Sequence, residues 1–205
     1  MLEARSLECV RGRRQLFTDL SFLLRAGDCL ELRGANGSGK TSLLRILCGL
    51  LPPTSGSILW NGEPIKSLRE AYHQFVTYVG HRPAVKDELT ALENLRVSSA
   101  LSGFVLSRQQ ARDVLARMSL ADVEDVYARC LSEGQRRRLA LARLMVGRTS
   151  LWVLDEVLTS LDEVAARSVT KLIDDHVASG GAAVIATQRE LKLQIVSPQR
   201  IELAA

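Results

Sequence analysis

The sequence predicts an α/β fold with an antiparallel β portion near its N-terminus and a helical subdomain inserted into the core. Three observations carry that prediction. Short continuous apolar runs, "SLWVLDE" and "AAVIAT", suit strands of a parallel sheet covered on both faces. A glycine-rich loop, "GANGSGKT", stands between an apolar strand and an apolar helix. From residue 88 to 147 the pattern turns helical before the strands return, the sign of a subdomain set within strand–helix alternation.

Along the chain, "LECV", "LSFLLRAGD" and "CLELRG" read as short β runs, with Ala26-Gly27-Asp28 as a hairpin-type connection. In "TSLLRILCGLL", Leu43, Leu44, Leu47 and Leu50 recur at helical spacing, and "PPTSG" stops the helix. "SILWNGEPI" reads as strand–turn–strand about Asn61-Gly62, a strong hairpin signal. "FVTYVG" is a further strand, followed by helices in "TALENLRVSSAL", "SRQQARDVLARMSL" and "RRRLALARLM". One domain over 1–205 results, with a core and β portion from 1–87 and 148–205 and a helical subdomain from 88–147.

A chain of 205 residues can bury one sizeable core, and 46% hydrophobic with 24% charged residues is ordinary for a globular protein. The formal charge of +4 rests on arginines scattered along the chain, which read as solvated faces more readily than as a nucleic-acid surface. Aromatic residues, 4% of the chain, are too few for stacking platforms, so no nucleic-acid partner is expected. A basic face toward anionic lipid is compatible with the same charge. Cys9, Cys29, Cys48 and Cys130 lie far apart with no metal-ligand spacing, and are expected to be reduced thiols in or near the core. No secretory segment or membrane-length apolar run is read, so a cytoplasmic chain is expected, with membrane association through partners.

Gly34, Ala35, Asn36, Gly37, Ser38, Gly39, Lys40 and Thr41 match the phosphate-loop pattern in full and in its strand–loop–helix context. Glycines let backbone N–H groups approach phosphate, and the helix N-terminus adds partial positive charge. Lys40 reaches the β- and γ-phosphates and the Thr41 hydroxyl can hold Mg²⁺, so the ligand is a nucleoside triphosphate, which the family resemblance given next makes ATP. Asp155 and Glu156 end the strand "LWVLDE". Downstream of such a loop, Asp155 is placed for the metal and Glu156 for a general base on the attacking water.

"LSEGQRRRLALARL" at 131–144 resembles the signature of ABC-transporter ATP-binding subunits, LSGGQ and an arginine-rich helix, with Glu133 as its third residue. Phosphate loop, signature, acidic strand and a D-loop-like "TSLD" follow in the family's order, and the resemblance covers essentially the whole chain. It implies a P-loop NTPase of the ABC ATPase kind, an ATPase that drives a membrane complex. It also implies a head-to-tail homodimer in which Leu131, Ser132, Glu133, Gly134 and Gln135 act on the partner's ATP. Ser160, Leu161 and Asp162 are its D-loop. Ser132 and Gly134 open a helix whose amides can receive an anion.

"YHQFVTYVGHRPAVKDELTALENL" and "LWVLDEVLTSLDEVAA" look like the ATP-binding subunit of the cytochrome c maturation haem exporter. That resemblance implies integral-membrane partners of the CcmB and CcmC kind and a peripheral place on the cytoplasmic face of the bacterial inner membrane. No residue is assigned to haem.

The chain departs from the family in several places. Alignment on Leu-Thr-x-x-Glu-Asn puts His81 at the Q-loop position, which in the family contacts the metal or water; an exposed loop histidine is the alternative. Arg11 falls where many relatives stack an aromatic ring on adenine; a guanidinium can stack there too, and a solvated arginine is the alternative. Val157 stands where proline usually follows the catalytic glutamate. Gln188 aligns with the switch histidine that holds the γ-phosphate; it donates a hydrogen bond but carries no proton or charge. His73 and His176 read as structural. Beside the ATPase stand a nucleotide-gated binding module with little hydrolysis, motivated by Gln188, an ATPase for another cargo, and a soluble ATPase acting on nucleic acid or ribosomes.

Overall fold

Two tight turns with positive φ shape the first sheet. Gly12 (φ 61°) joins β1 (Leu2–Arg11) to β2 (Arg14–Leu24), antiparallel with Arg11 opposite Arg14. Asn61 (φ 50°) and Gly62 (φ 88°) form the turn between β4 (Ser55–Trp60) and β5 (Glu63–Pro64), as their type predicts. The sheet order is β2-β1-β4-β5. This is a computed structural model that describes residues 1–147, 149–159, 161–188, 193–194 and 196–204.

The second sheet runs β6 (Val76–Val79), β7 (Leu151–Asp155), β8 (Ala182–Ala186), β3 (Cys29–Gly34) and β9 (Gln199–Leu203) in space. β7, β8, β3 and β9 pair in parallel. Cys29 to Leu32 of β3 and every residue of β7 and β8 are buried, the both-faces-covered pattern of a parallel sheet. Ala26-Gly27-Asp28 is therefore not a hairpin: β2 and β3 belong to different sheets. Asp28 Oδ2 accepts from Arg25 N at 2.7 Å, and Gly27 N donates to Gly181 O at 2.9 Å, anchoring the crossover beside β8. The chain there looks like a turn locally; only burial of the following strand on both faces decides its sheet.

Between the sheets' apolar faces lies α1 (Lys40–Leu47), too short to hold itself in water. Its Leu43, Leu44, Ile46 and Leu47 share one core with Leu2, Leu7 and Leu24 of the first sheet and Leu30, Leu32, Val153 and Val184 of the second. Beyond β5, α2 (Ile65–Leu68) and α3 (Glu70–His73) cover Trp60, which meets Tyr72 edge-on at 5.9 Å and stacks on Phe75 at 5.6 Å. Glu31, fully buried on β3, is held by Arg33 and Arg200, each at 3.0 Å, as a buried charge must be.

The chain divides into two compact units. The first comprises Met1–Tyr78, Thr149–Glu156 and Thr170–Ala205; the second comprises Val79–Arg148 and Val157–Val169. In the second, α4 (Ala91–Leu101), α5 (Arg108–Arg117) and α6 (Glu133–Ala142) pack together. Each opens with a capping box: Thr90 with Glu93, Ser107 with Gln110, Ser132 with Gln135. Helix α7 (Glu163–Ala178), which precedes β8, and strand β9 were not read from sequence, because their apolar residues alternate with many polar ones. Cys9, Cys29 and Cys48 are buried; Cys130 is exposed, outside the expected core. Among the described residues no helix is long and apolar enough to cross a membrane.

Candidate functional site

Parallel register brings three strand ends into one row. Leu32 of β3 and Asp155 of β7 both lie beside Ala186 of β8. Beyond that row the chain continues into Gly34, Glu156 and Gln188, so the glycine loop, the acidic pair and the glutamine leave the same edge of one sheet. Strand carboxyl ends in open α/β sheets are where ligands collect.

The loop backbone is packed closely enough that glycine is required at two of its positions. Gly34 has φ 141°, and a Cβ there would stand 2.5 Å from Leu203 O and 2.6 Å from Ser38 Oγ. Gly39, at φ 105°, caps α1 from the left-handed region, which glycine reaches without steric cost. Lys40 is buried, its ammonium donating to Gly34 O at 2.7 Å and Ala35 O at 3.1 Å, with Glu156 Oε1 at 3.9 Å. Ala35, Asn36 and Gly37 are exposed, and Ser38 is buried beneath them.

The Thr41 hydroxyl donates to Asp155 Oδ2 at 2.8 Å, joining the first turn of α1 to the end of β7. Asp155 is buried and Glu156 half-buried. Glu156 has φ 53°, the left-handed region that L side chains rarely occupy, while its N–H donates to Ala186 O at 2.9 Å. Such strain persists only where surrounding structure holds it, and it concentrates at functional sites. Burial, and after it the Asp155 carboxylate, raises the Tyr78 phenol above its ordinary value, so Tyr78 stays protonated beside this pair.

A divalent cation fits the donor set. Thr41 and Asp155 offer hard oxygen ligands within hydrogen-bond reach of each other. Among the described residues no group of three or more His, Cys, Asp or Glu forms a metal cage. One carboxylate and a hydroxyl, completed by phosphate oxygens and water, is how Mg²⁺ is usually held.

Gln188 Nε2 donates to Asn36 Oδ1 at 2.7 Å, which sets its amide directly on the loop. Arg11, in the same unit, donates from its guanidinium to Pro52 O at 3.3 Å. The arginine by the loop is Arg14, whose Nη1 is 3.7 Å from the Cβ position of Gly37. Nothing in the sequence singles out Arg14, since its approach to the loop depends on the β1–β2 hairpin.

In the second unit, Leu131 is buried, Ser132 and Glu133 are exposed, and Gly134 and Gln135 are half-buried at the start of α6. Ser132 Oγ accepts from Gln135 N at 3.2 Å, and Gln135 Oε1 accepts from Ser132 N at 2.8 Å. Leu161 is buried; Asp162 Oδ1 accepts from Ala165 N at 2.7 Å, capping α7; Ser160 lies outside the described residues. His81 is exposed, and it lines a small cavity of about 70 Å³ with Pro83, Glu133, Arg137 and Thr159.

Sequence reasoning read the arginine run of α6 as a family mark and missed what it grips. Arg137, only 4% exposed, donates to the carbonyls of Gly80 at 3.0 Å and His81 at 2.8 Å. Arg136 pairs with Asp87. Asn94 of α4 accepts from Lys86 N at 2.8 Å and donates to Lys86 O at 2.9 Å and Leu89 O at 3.1 Å. The 80–90 segment is thus tied to both helices, which explains why the second unit begins at Val79.

Comparison with known proteins bears on the whole chain. The family model described as "ABC transporter" matches residues 17–159. A cytochrome c biogenesis ATP-binding export protein CcmA from Nitrosomonas europaea is 48% identical over 204 residues, covering 100% of this chain and 96% of that protein. The protein of the same name from Nitrosospira multiformis is 49% identical over 202 residues, 98% of each chain. That from Escherichia coli K12 is 42% identical over 203 residues, 99% of this chain and 96% of the relative. Among solved structures, an ABC transporter ATP-binding protein from Pyrococcus furiosus has a TM-score of 0.84 at 24% identity, over 98% of this chain and 96% of that one. A dimeric ATP-binding cassette bound to ADP and Pi has a TM-score of 0.82 at 20% identity, over 92% and 88%. Both structural likenesses speak for the fold.

Proposed function

The chain belongs to the ABC transporter family of ATP-binding proteins, an ATPase family, and from that premise we propose that it is the Mg²⁺-dependent ATP-binding and hydrolysing subunit of a cytochrome c biogenesis export complex. Its work there is to power haem export or the release of a haem-loaded chaperone. The geometric observation behind the ATPase reading is the bond from Thr41 to Asp155 beside Lys40 and Glu156. Full-length similarity to export proteins of that name supports the cargo class.

In this reading the loop amides from Gly34 to Thr41 bind the phosphates. Lys40 exchanges its carbonyl partners for β- and γ-phosphate oxygens, which offer full negative charge where the carbonyls offer dipoles. Thr41 and Asp155 hold Mg²⁺, which neutralises phosphate charge when bound. Glu156 takes the proton of the attacking water. Gln188 leaves Asn36 to donate to the γ-phosphate. Leu131 to Gln135 of a second copy complete the site, with Leu161 and Asp162 at the dimer seam. His81 and the segment around it carry the signal of the membrane partner. Residues 88–147 serve as the helical subdomain, the rest as the nucleotide-binding core. The complex sits on the cytoplasmic face of the inner membrane, this chain peripheral to CcmB-like and CcmC-like subunits, and nucleic acid has no part in it.

Steady-state ATP hydrolysis by the complex purified from membranes tests the reading. Activity that needs Mg²⁺ and is lost in Glu156→Gln is expected. Equal activity of the two proteins, or copurification with ribosomes instead of membrane subunits, overturns it. One observation favours a second reading, a nucleotide-gated module that closes on ATP and seldom hydrolyses it: the uncharged Gln188 at the loop.

A further inference from the structure

We propose that the first unit carries a second ligand site, unrelated to the nucleotide, for a small amphipathic carboxylate. It is a cavity of about 260 Å³ at the far end of α1. Its floor is apolar and closed: Ile46, Ile58, Ile65 and Tyr72 are each under a tenth exposed. Tyr72 turns its only polar atom away, donating its hydroxyl to Leu47 O at 2.8 Å. The edge-on and stacked contacts among Trp60, Tyr72 and Phe75 brace the wall behind it, so the hollow is preformed.

Charge at the rim selects the ligand. Exposed Lys66, Arg69 and His73 line the same cavity. Among the described residues neither the Lys66 ammonium nor the Arg69 guanidinium has a hydrogen-bonded or ion-paired partner, and none of the residues lining the cavity is acidic. Glu63 and Glu70 are close in sequence but lie outside its lining. Two cations and an imidazole around an apolar hollow attract an anion whose body is apolar.

Backbone strain marks the same place. Arg69, at the break between α2 and α3, has φ 47° and ψ −123°, a conformation ordinarily left to glycine. A residue held so against its preference points to a function for the arginine at that spot. The size also chooses among occupants. At 260 Å³ the cavity falls just below the roughly 300–1,000 Å³ usual for small-molecule sites, which fits a short-chain or single-ring acid and not a helix or folded partner.

The site is separate from the phosphate loop. Lys40 opens α1 and Ile46 lies six residues on, about 9 Å along the axis at 1.5 Å per residue. Its occupancy therefore does not depend on the nucleotide reading.

The test uses the full chain, octanoate as probe and octan-1-ol as its uncharged counterpart, with binding followed by ligand-observed NMR and calorimetry. Saturable octanoate binding with a Kd on the order of 1 mM or tighter is expected, with octanol at least about tenfold weaker. The double variant Lys66→Gln/Arg69→Gln should weaken octanoate about tenfold and leave octanol unchanged. Ser57→Phe, an exposed strand position on the lining, should block both ligands by filling the hollow. Unchanged circular dichroism and ATP affinity show that each variant is folded. Equal affinity for octanoate and octanol, no saturable binding, or octanoate binding indifferent to both variants overturns the proposal. So does capture of anionic phospholipid vesicles without octanoate binding, which assigns the rim to a lipid surface.

Discussion

The Thr41 hydroxyl donates to Asp155 Oδ2 at 2.8 Å, across 114 positions of sequence. This bond places a hydroxyl and a carboxylate side by side, as the proposed metal role of the two requires. Asp155→Asn should weaken Mg²⁺–ATP far more than metal-free ATP, because the amide keeps the hydrogen bond and loses the charge. Titration of both forms of the nucleotide by calorimetry checks this; equal weakening removes the metal role of Asp155.

Glu156→Gln should lower hydrolysis by about 10²–10⁴-fold, the usual contribution of a positioned general base, while ATP affinity stays close to wild type. Because Glu156 sits at φ 53°, Glu156→Gly should be at least as stable as Glu156→Gln, since glycine relieves the strain. Melting temperatures of the two variants decide that point independently of activity.

Gln188 donates to Asn36 and holds no charge. Gln188→His should raise turnover by roughly thirty- to a hundredfold if a charge-assisted contact of about 2–3 kcal/mol is what the transition state lacks. Unaltered turnover would show that another step limits the rate.

Arg137 positions the His81 segment through two backbone carbonyls. Arg137→Gln should leave ATP affinity of the isolated chain intact and reduce hydrolysis stimulated by the membrane subunits. Arg137→Lys should restore part of it, since one ammonium can still donate to one carbonyl. A loss of thermal stability without this split between binding and stimulated turnover would mean that Arg137 is structural only. Removing it leaves two carbonyls without their donor, at a cost of about 1–3 kcal/mol each if water cannot reach them.

His176 stacks face to face on Trp152, ring centroids 3.8 Å apart, and its Nε2 lies 3.2 Å from Ala182 O. Burial lowers its pKa below the ordinary 6.5, although the contact with Ala182 O opposes that shift. Its neutral form is thus preferred in the folded chain. Above about pH 6.5 neither state binds the proton and this contribution to stability is fully present. As pH falls below 6.5 the unfolded chain takes up a proton first and stability declines, levelling once the folded value is passed. Melting temperature followed from pH 7.5 to 5 should show the decline, and His176→Phe, which keeps the stack, should flatten it. Gly181 must stay small, because a Cβ there would clash with the His176 imidazole.

Much of this was legible in the sequence because it is local. Glycine spacing from Gly34 to Gly39 dictates a loop, Asn61-Gly62 a turn, and apolar periodicity the helices α4 and α5. Continuous apolar runs identify β7 and β8 as buried strands, and the acids at a strand end downstream of the loop identify the candidate site. These features depend on neighbours within a few residues, where chain stereochemistry leaves few choices.

Tertiary structure alone decided the rest, since register, burial and side-chain direction arise between distant segments. It set β3 between β8 and β9, which lines Leu32, Ala186 and Asp155 in one row and brings Gln188 onto Asn36. It turned Arg14 toward the loop and Arg11 toward Pro52, although the two stand opposite each other in one hairpin. It converted the arginine run of α6 into a clamp on Gly80, His81 and Asp87, a role no spacing within the helix reveals. It left the side-chain charges of Lys66 and Arg69 without a partner among the described residues at the rim of an apolar hollow, because whether a charge finds a partner depends on how separate elements pack.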